Sequence, residues 1–234
     1  MSAVLEGALR SAVVRRRIIE LADELDMQNA VRLDRELRCA IFDPSVDEIV
    51  LDIMSNGGIL EIGQQLAEVV YAARSHKRII GYTNSVALST GYLLMAACTK
   101  AVVAPGGWVG AVGVAAGEID PVLGRMIEAA PVYGTSSEVK ARTLKLVPFD
   151  DEAKRAEIAR LIDRDYSRLV AAIARYRGVS EDQVRRNYGD GACVPADEAL
   201  QRGMIDRIAT IPECGTFDWS AAPKLLAELQ KGSI

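Results

Sequence analysis

Hydrophobic positions along the chain follow two spacings. Near-continuous apolar runs, typical of strands buried on both faces, alternate with stretches in which apolar residues recur every three or four positions, as in amphipathic helices. The predicted strands lie within residues 16–25, 49–53, 78–82, 100–104 and 132–133. The predicted helices are residues 29–40, 59–73, 91–97, 150–177, 195–202 and 220–230. This alternation predicts an α/β domain with a mostly parallel sheet.

The composition fits a soluble globular protein. The chain has 234 residues, of which 50% are hydrophobic and 26% are charged, so it is able to bury a sizeable core. We expect an N-terminal extension over residues 1–15, one folded domain over 16–210 and a tail with a short helix over 211–234. The net charge of −4 argues against nucleic acid as a partner, because nucleic-acid-binding surfaces are basic.

Cysteine and histidine are too scattered to predict a zinc site. The four cysteines, at positions 39, 98, 193 and 214, form no Cys-x-x-Cys pair, and the chain has one histidine. Such cysteines are typical of buried thiols in a reducing compartment. The chain shows no signal peptide, and no apolar run reaches the roughly 18 residues of a membrane span. These features predict a cytoplasmic protein, and membrane association is not evident in this chain.

Ser89 is the first candidate for chemistry. It stands between a predicted strand and a predicted apolar helix, so its hydroxyl would lie near a helix N-terminus. Free N–H groups and the helix dipole favour a developing negative charge there. Serine is also a common helix cap, and this segment by itself favours the capping role over catalysis.

A second candidate is the turn Ser55-Asn56-Gly57-Gly58, at the carboxyl end of a predicted buried strand. Two glycines leave backbone N–H groups open toward a ligand, and sites in open α/β folds gather at such strand ends. A plain tight turn explains the same residues equally well.

A base for Ser89 is harder to find. The single histidine, His76, lies among basic residues at the opposite end of a predicted strand, which predicts a surface position. A Ser-His-Asp triad is therefore hard to build. A lysine that burial holds neutral is able to replace histidine, and the candidates are Lys140, Lys145 and Lys100.

Four motifs occur in a specific order and spacing. They are Ser55-Asn56-Gly57-Gly58, Leu88-Ser89-Thr90-Gly91-Tyr92, Val109-Gly110-Ala111-Val112-Gly113-Val114 and Ser136-Ser137-Glu138-Val139-Lys140. Together they resemble the Ser-Pro-Gly-Gly, Ala-Ser-Gly-Gly-Tyr, Thr-Gly-Ser-Ile-Gly-Val and Ser-Gly-x-x-Lys motifs of the signal peptide peptidase A (SppA) family. That family of serine peptidases belongs to the Clp protease/crotonase superfamily. The resemblance covers roughly residues 16–208.

The resemblance implies a ClpP/crotonase-like fold of stacked βαβ units and peptide-bond hydrolysis by a Ser/Lys dyad. In this chain Ser89 would be the nucleophile and Lys140 the general base. The N–H groups of Gly58 and Thr90 would form the oxyanion hole, with Gly57 shaping the turn. No cofactor is implied.

The resemblance also implies partners. The substrate would be a peptide or a protein, and the chain would form a homo-oligomeric ring with the predicted helix 150–177 at subunit contacts. In some rings of this family, neighbouring subunits supply the serine and the lysine of one site.

Three positions depart from the family motifs. Asn56 replaces a proline, which we expect to change the rigidity of the loop. Thr90 replaces a glycine, and we expect its side chain to narrow the pocket. Ala111 replaces a serine that helps to hold the lysine, which we expect to lower catalytic efficiency.

Two other functions stay open at this point. A crotonase-type acyl-CoA hydratase or isomerase would share the fold and the oxyanion hole, and would need a carboxylate such as Glu118 or Asp120. A non-catalytic oligomeric scaffold would keep the fold without the chemistry, and Ala111 favours it.

Overall fold

The computed structural model describes residues 14–117, 132–137 and 152–210. The strands in these ranges are β1 (Arg16–Ala22), β2 (Glu48–Met54), β3 (Arg78–Thr83), β4 (Val86–Leu88), β5 (Lys100–Val103), β6 (Trp108–Gly110), β7 (Ala115–Gly117), β8 (Val132–Thr135), β9 (Cys193–Pro195) and β10 (Arg207–Ile208). The helices are α1 (Met27–Phe42), α2 (Leu60–Ala73), α3 (Thr90–Ala97), α4 (Glu152–Arg177), α5 (Glu181–Asn187) and α6 (Ala196–Gln201).

The main sheet has five parallel strands in the order β1-β2-β3-β5-β10. A second sheet has the order β4-β6-β9, in which β4 and β6 are parallel and β9 is antiparallel. Strands β7 and β8 form an antiparallel pair. The predicted α/β class is confirmed, and the architecture is consistent with the ClpP/crotonase-like fold that the resemblance implies.

The core lies mainly on one face of the main sheet. Side chains alternate between the two faces of a strand, so Ile49, Leu51 and Ile53 of β2 join the buried side chains of the helices. On the opposite face, Val50 of β2 belongs to a smaller buried cluster with Ile80 of β3. Because β2 is buried on both faces, its sequence is almost continuously apolar.

The predicted elements agree with the structure to within a few residues, wherever the structure describes them. The predicted helix 220–230 lies outside the described residues, as do residues 150 and 151. Strands β4, β6, β7, β9 and β10 and helix α5 were not predicted. These strands have two or three residues each, which is too short to show a hydrophobic period.

Helix α3 is completely buried and is held by the segment that precedes β10. The hydroxyl of Tyr92 donates to the carbonyl oxygen of Met204 at 2.9 Å, and that of Tyr188 donates to the carbonyl oxygen of Gly203 at 2.9 Å. Burial raises the pKa of both tyrosines, so both hydroxyls remain protonated donors. The Tyr92 bond holds the helix that begins immediately after Ser89, and the Tyr188 ring packs edge-on against Tyr92 with the ring centroids 6.3 Å apart.

Asp206 ties α4 to the main sheet. Its carboxylate accepts hydrogen bonds from the Arg177 side chain at 2.8 Å and from the Ala101 N–H at 2.7 Å. Burial alone would raise the pKa of Asp206, but these two hydrogen bonds, together with the charges of Arg177 and Lys100, outweigh burial and lower that pKa.

Replacing Asp206 by asparagine is expected to lower the free energy of unfolding by about 2 kcal/mol at pH 7, because the Arg177 side chain, which is only 10% exposed, loses its carboxylate partner. The lowered pKa in the folded state means that this stabilisation is present above the unfolded-state pKa of about 3.9 and is lost as the pH falls through the folded-state pKa. Urea unfolding of both proteins at pH 7 and below pH 4 measures the difference.

The matched control is Asp182→Asn, which breaks the exposed pair with Arg186 and should change stability by less than about 0.5 kcal/mol. We expect the difference in the free energy of unfolding between wild type and Asp206→Asn to shrink at low pH. A difference that stays constant down to the lowest measurable pH would contradict the assigned role of the carboxylate charge.

Candidate functional site

The chain turns sharply where β2 ends, and a buried serine organises the turn. The side-chain oxygen of Ser55 accepts a hydrogen bond from the Gly57 N–H at 3.1 Å, and its hydroxyl donates to the Gly57 carbonyl oxygen at 3.2 Å. The N–H of Gly57 is therefore occupied within the turn. Gly57 shapes the loop, and the next N–H along the chain is that of Gly58.

Gly58 lies against the backbone of Leu25. The N–H of Leu25 donates to the carbonyl oxygen of Gly57 at 2.7 Å, and the N–H of Ile59 donates to the carbonyl oxygen of Leu25 at 3.1 Å. A Cβ atom on Gly58 would lie 2.3 Å from the Leu25 carbonyl oxygen, so only glycine fits. Because the bonds to Leu25 use the groups on either side of Gly58, its own N–H is turned away from Leu25. That N–H donates to no acceptor among the described residues.

Ser89 occupies the N-cap position of α3, but its side chain makes no capping hydrogen bond. The capping interpretation is therefore wrong. The backbone of Ser89 has φ 54° and ψ −118°, a conformation that costs most non-glycine residues about 1–3 kcal/mol. Its N–H donates to the carbonyl oxygen of Gly110 at 2.8 Å. A strained serine at a sharp strand-to-helix turn is also the geometry that presents the nucleophile in enzymes of the α/β-hydrolase fold.

This strain predicts that Ser89→Gly is more stable than Ser89→Ala by about 1 kcal/mol, because glycine adopts this conformation without steric cost. Thermal and urea unfolding of the two variants measure the difference. Equal stabilities would contradict backbone strain at this position.

The turn after β2 and the turn before α3 lie against each other. A Cβ atom on Gly57 would lie 2.7 Å from the Ser89 Cβ and 3.2 Å from its side-chain oxygen. The N–H of Leu88 donates to the Ser55 carbonyl oxygen at 2.9 Å, and the N–H of Ser55 donates to the Val86 carbonyl oxygen at 3.0 Å. The structure thus places Gly57 of the glycine turn directly against Ser89, with Gly58 as the next residue along the chain.

Thr90 is the first residue of α3, and its N–H donates to no acceptor among the described residues. Its side chain is only 2% exposed and packs against Gly63 of α2. The prediction that this side chain narrows the pocket is therefore wrong, because the chain turns into the contact between α2 and α3.

Ala111 follows the residue that binds the backbone of Ser89. It has a positive φ of 49°, and its N–H donates to the Ala192 carbonyl oxygen at 2.8 Å. Since Gly110 accepts the N–H of Ser89, Ala111 lies one residue from the backbone partner of the candidate nucleophile.

Lys140 lies outside the described residues, as do Lys145, Glu118 and Asp120. The segment before Lys140 is described as far as residue 137. There the N–H of Ser136 donates to the Val114 carbonyl oxygen at 2.7 Å, and the Ser136 side-chain oxygen accepts the Val114 N–H at 2.7 Å. The chain that leads to Lys140 is thus paired with the chain that leaves Ala111.

The other candidate bases lie away from Ser89. His76 is exposed in the connection between α2 and β3, as predicted. Lys100 begins β5, has a side chain that is 53% exposed and forms an ion pair with Asp206 at 3.6 Å. His76 precedes β3 and Lys100 is the first residue of β5, so both lie at the amino ends of strands, whereas the glycine turn follows the carboxyl end of β2.

Two residues that position this site were not predicted, namely Leu25, which holds the glycine turn, and Gly63, which receives Thr90. An isolated glycine within a helical pattern is the one signal that pointed to Gly63.

Among the described residues, no group of three His, Cys, Asp or Glu side chains could hold a metal ion. No helix in the described ranges is long and apolar enough to cross a membrane.

A family model described as peptidase family S49 matches residues 72–216. The matched segment includes Ser89, Thr90, Ala111 and Lys140, whereas the glycine turn after β2 precedes it.

Three curated relatives show similar levels of identity. The head-tail preconnector protein GP5 of Enterobacteria phage P21 is 24% identical over 176 residues, which cover 74% of this chain and 34% of the relative. The capsid assembly protease C of Escherichia phage lambda is 25% identical over 201 residues, covering 85% and 45%. The membrane protein NfeD1b of Bacillus subtilis (strain 168) is 24% identical over 198 residues, covering 83% and 39%. The matched region spans less than half the length of each relative.

Proposed function

Because the chain belongs to peptidase family S49, we propose that it is a serine peptidase in which Ser89 attacks the peptide carbonyl and Lys140 is the general base. The observation that carries this proposal is the backbone of Ser89. A strained, uncapped serine faces a glycine turn at the N-terminus of a buried helix. A serine with only a structural role would gain more from capping the helix than from this conformation.

The proposed reaction begins with a neutral Lys140, which takes the proton of the Ser89 hydroxyl as the oxygen attacks the substrate carbonyl carbon. The carbonyl oxygen becomes an oxyanion that accepts hydrogen bonds from the N–H groups of Gly58 and Thr90. In comparable enzymes one such donor contributes about 2.7–4 kcal/mol. Lys140 then gives its proton to the leaving amine, and water hydrolyses the acyl-enzyme.

The N-terminus of α3 also stabilises the negative charge of the oxyanion. The helix begins at Thr90, so the N–H groups of its first turn and the positive end of its dipole lie beside Ser89. An oxyanion that forms there is stabilised before any side chain moves, because these dipoles are part of the backbone.

We propose that the substrate is a structural protein of a phage head. The names of two relatives, a capsid assembly protease and a head-tail preconnector protein, support this substrate class.

We also propose a homo-oligomer with α4 at subunit contacts. The first turns of α4 are exposed, which supports this arrangement. Sedimentation of the purified chain tests it, and a monomer at all accessible concentrations would contradict it.

The experiment that tests the proposed nucleophile is modification with a fluorophosphonate, followed by mass-spectrometric mapping of the modified serine. We expect one adduct, on Ser89. Ser55 is the matched internal control, because it lies in the adjacent turn but is 1% exposed and bonded to Gly57. An adduct on any other serine, or none at all, would contradict the assignment.

Ala111→Ser tests the departure from the family motif. If the hydroxyl reaches the lysine amine, we expect kcat to rise by about 3- to 10-fold, because one hydrogen bond contributes about 0.5–1.5 kcal/mol. Ala111→Val, which adds volume without a hydroxyl, is the control. A serine variant no faster than wild type would show that another residue already holds the lysine.

A further inference from the structure

The contact between α2 and α3 beside the candidate site has room for one side chain only. A Cβ atom on Gly63 would lie 2.8 Å from both the Cβ and the Cγ2 of Thr90. Carbon atoms do not approach each other this closely, and the Thr90 Cβ is bonded to the backbone and cannot swing aside. Adding a methyl group to Gly63 must therefore move the first turn of α3 away from α2.

Both sides of this contact are connected to the proposed oxyanion hole. Gly63 lies in the first turn of α2, and its N–H donates to the carbonyl oxygen of Ile59, the residue after Gly58, at 3.0 Å. Thr90 carries the second proposed donor on its own backbone. The separation of the two helices at this point therefore sets the separation of the two N–H groups.

Leu25 closes the third side of the contact. Its side chain is completely buried, and its Cδ2 lies 3.5 Å from the Cβ position on Gly63. The backbone of Leu25 also holds the glycine turn through its bonds to Gly57 and Ile59. One packed unit thus connects the turn, α2 and the start of α3.

The contact with Gly63 uses the carbon atoms of the Thr90 side chain and not its hydroxyl. Its side-chain oxygen is buried and has no hydrogen-bond partner among the residues that the structure describes. An unpaired buried hydroxyl opposes folding, so the shape of the side chain is what the contact uses.

We propose that Thr90 is a positioning residue: its Cβ and Cγ2, packed against the bare backbone of Gly63, set the distance between the Gly58 and Thr90 N–H groups. This inference rests on the proposed function, and it adds a role for two side-chain positions that do not touch the substrate. The width of the proposed oxyanion hole, which is the distance between these two N–H groups, then depends on the combined volume of the side chains at positions 63 and 90.

The experiment compares Gly63→Ala, Thr90→Gly, the double variant Gly63→Ala/Thr90→Gly and Thr90→Val. Each is assayed for kcat, KM, the rate of fluorophosphonate modification of Ser89 and the temperature of unfolding. Gly63→Ala should lower kcat and the modification rate by about 10- to 100-fold with KM within about twofold, because a displaced donor weakens transition-state binding most. Thr90→Val keeps the branched Cβ and removes the buried hydroxyl, so its kcat and modification rate should stay at least about fivefold above those of Gly63→Ala.

The double variant should be at least about tenfold faster than Gly63→Ala in kcat and in the modification rate, because the alanine fills the space that the threonine leaves. A Gly63→Ala variant as fast as wild type, a Thr90→Val variant as slow as Gly63→Ala, or a double variant no faster than Gly63→Ala would each overturn the inference. The unfolding temperatures should also be non-additive. If wild type itself is never modified, the proposed function fails. If wild type is modified normally but the rates and unfolding temperatures are additive, only this inference fails.

Discussion

Ser89→Ala is expected to abolish peptide hydrolysis while leaving the fold intact. The variant loses the attacking oxygen, and loss of a nucleophile of this type costs roughly 10⁴-fold or more in kcat. The fold should persist because the Ser89 side chain makes no capping hydrogen bond and its backbone bonds to Gly110 and Leu93 do not need the hydroxyl. Peptide cleavage measured by mass spectrometry, together with circular dichroism and sedimentation, checks both parts of the expectation.

The matched control is Ser75→Ala. Ser75 is exposed at the end of α2, where its hydroxyl donates to the Ala72 carbonyl oxygen at 3.1 Å, and it lies away from the glycine turn. Activity within about twofold of wild type is expected, because exposed positions of this kind tolerate substitution. A folded Ser89→Ala variant that keeps most of the activity would overturn the nucleophile assignment.

Lys140→Arg is expected to be almost as inactive as Ser89→Ala, although it keeps the positive charge. A general base must lose its proton at the working pH, and arginine does not. In wild type, kcat/KM should rise with pH as the lysine becomes neutral. Lys145→Arg is the control and should retain activity. The opposite result, with Lys145→Arg inactive and Lys140→Arg active, would transfer the base to Lys145.

The same variants test whether one site is built from two subunits. Ser89→Ala and Lys140→Ala chains are co-assembled in equal amounts. If neighbouring subunits share each site, about one quarter of the sites in a closed ring regain an intact serine and an intact lysine, so activity returns. Mixed assemblies that contain both chains and remain inactive would place the dyad within one chain.

Local patterns predicted the long elements because burial leaves its mark within a few residues. The apolar run of β2 and the helical spacing of α1 and α2 each fit a single window of sequence, and their bounds were predicted to within about two residues. The short strands β4 and β6 carry no such pattern. Yet β4 places Leu88 and Ser89 beside the glycine turn, and β6 supplies the carbonyl oxygen that holds the N–H of Ser89.

The sequence by itself determined the class of the fold and which residues are candidates for chemistry, because strand and helix periods and glycine-flanked motifs are local properties. Only the tertiary structure decided how those residues are used. It turned the Ser89 side chain away from the helix cap, engaged the N–H of Gly57 with Ser55, and seated Thr90 on Gly63. Each of these outcomes depends on backbone angles and on packing between elements. The spacing of residues along the chain encodes neither the angles nor the packing.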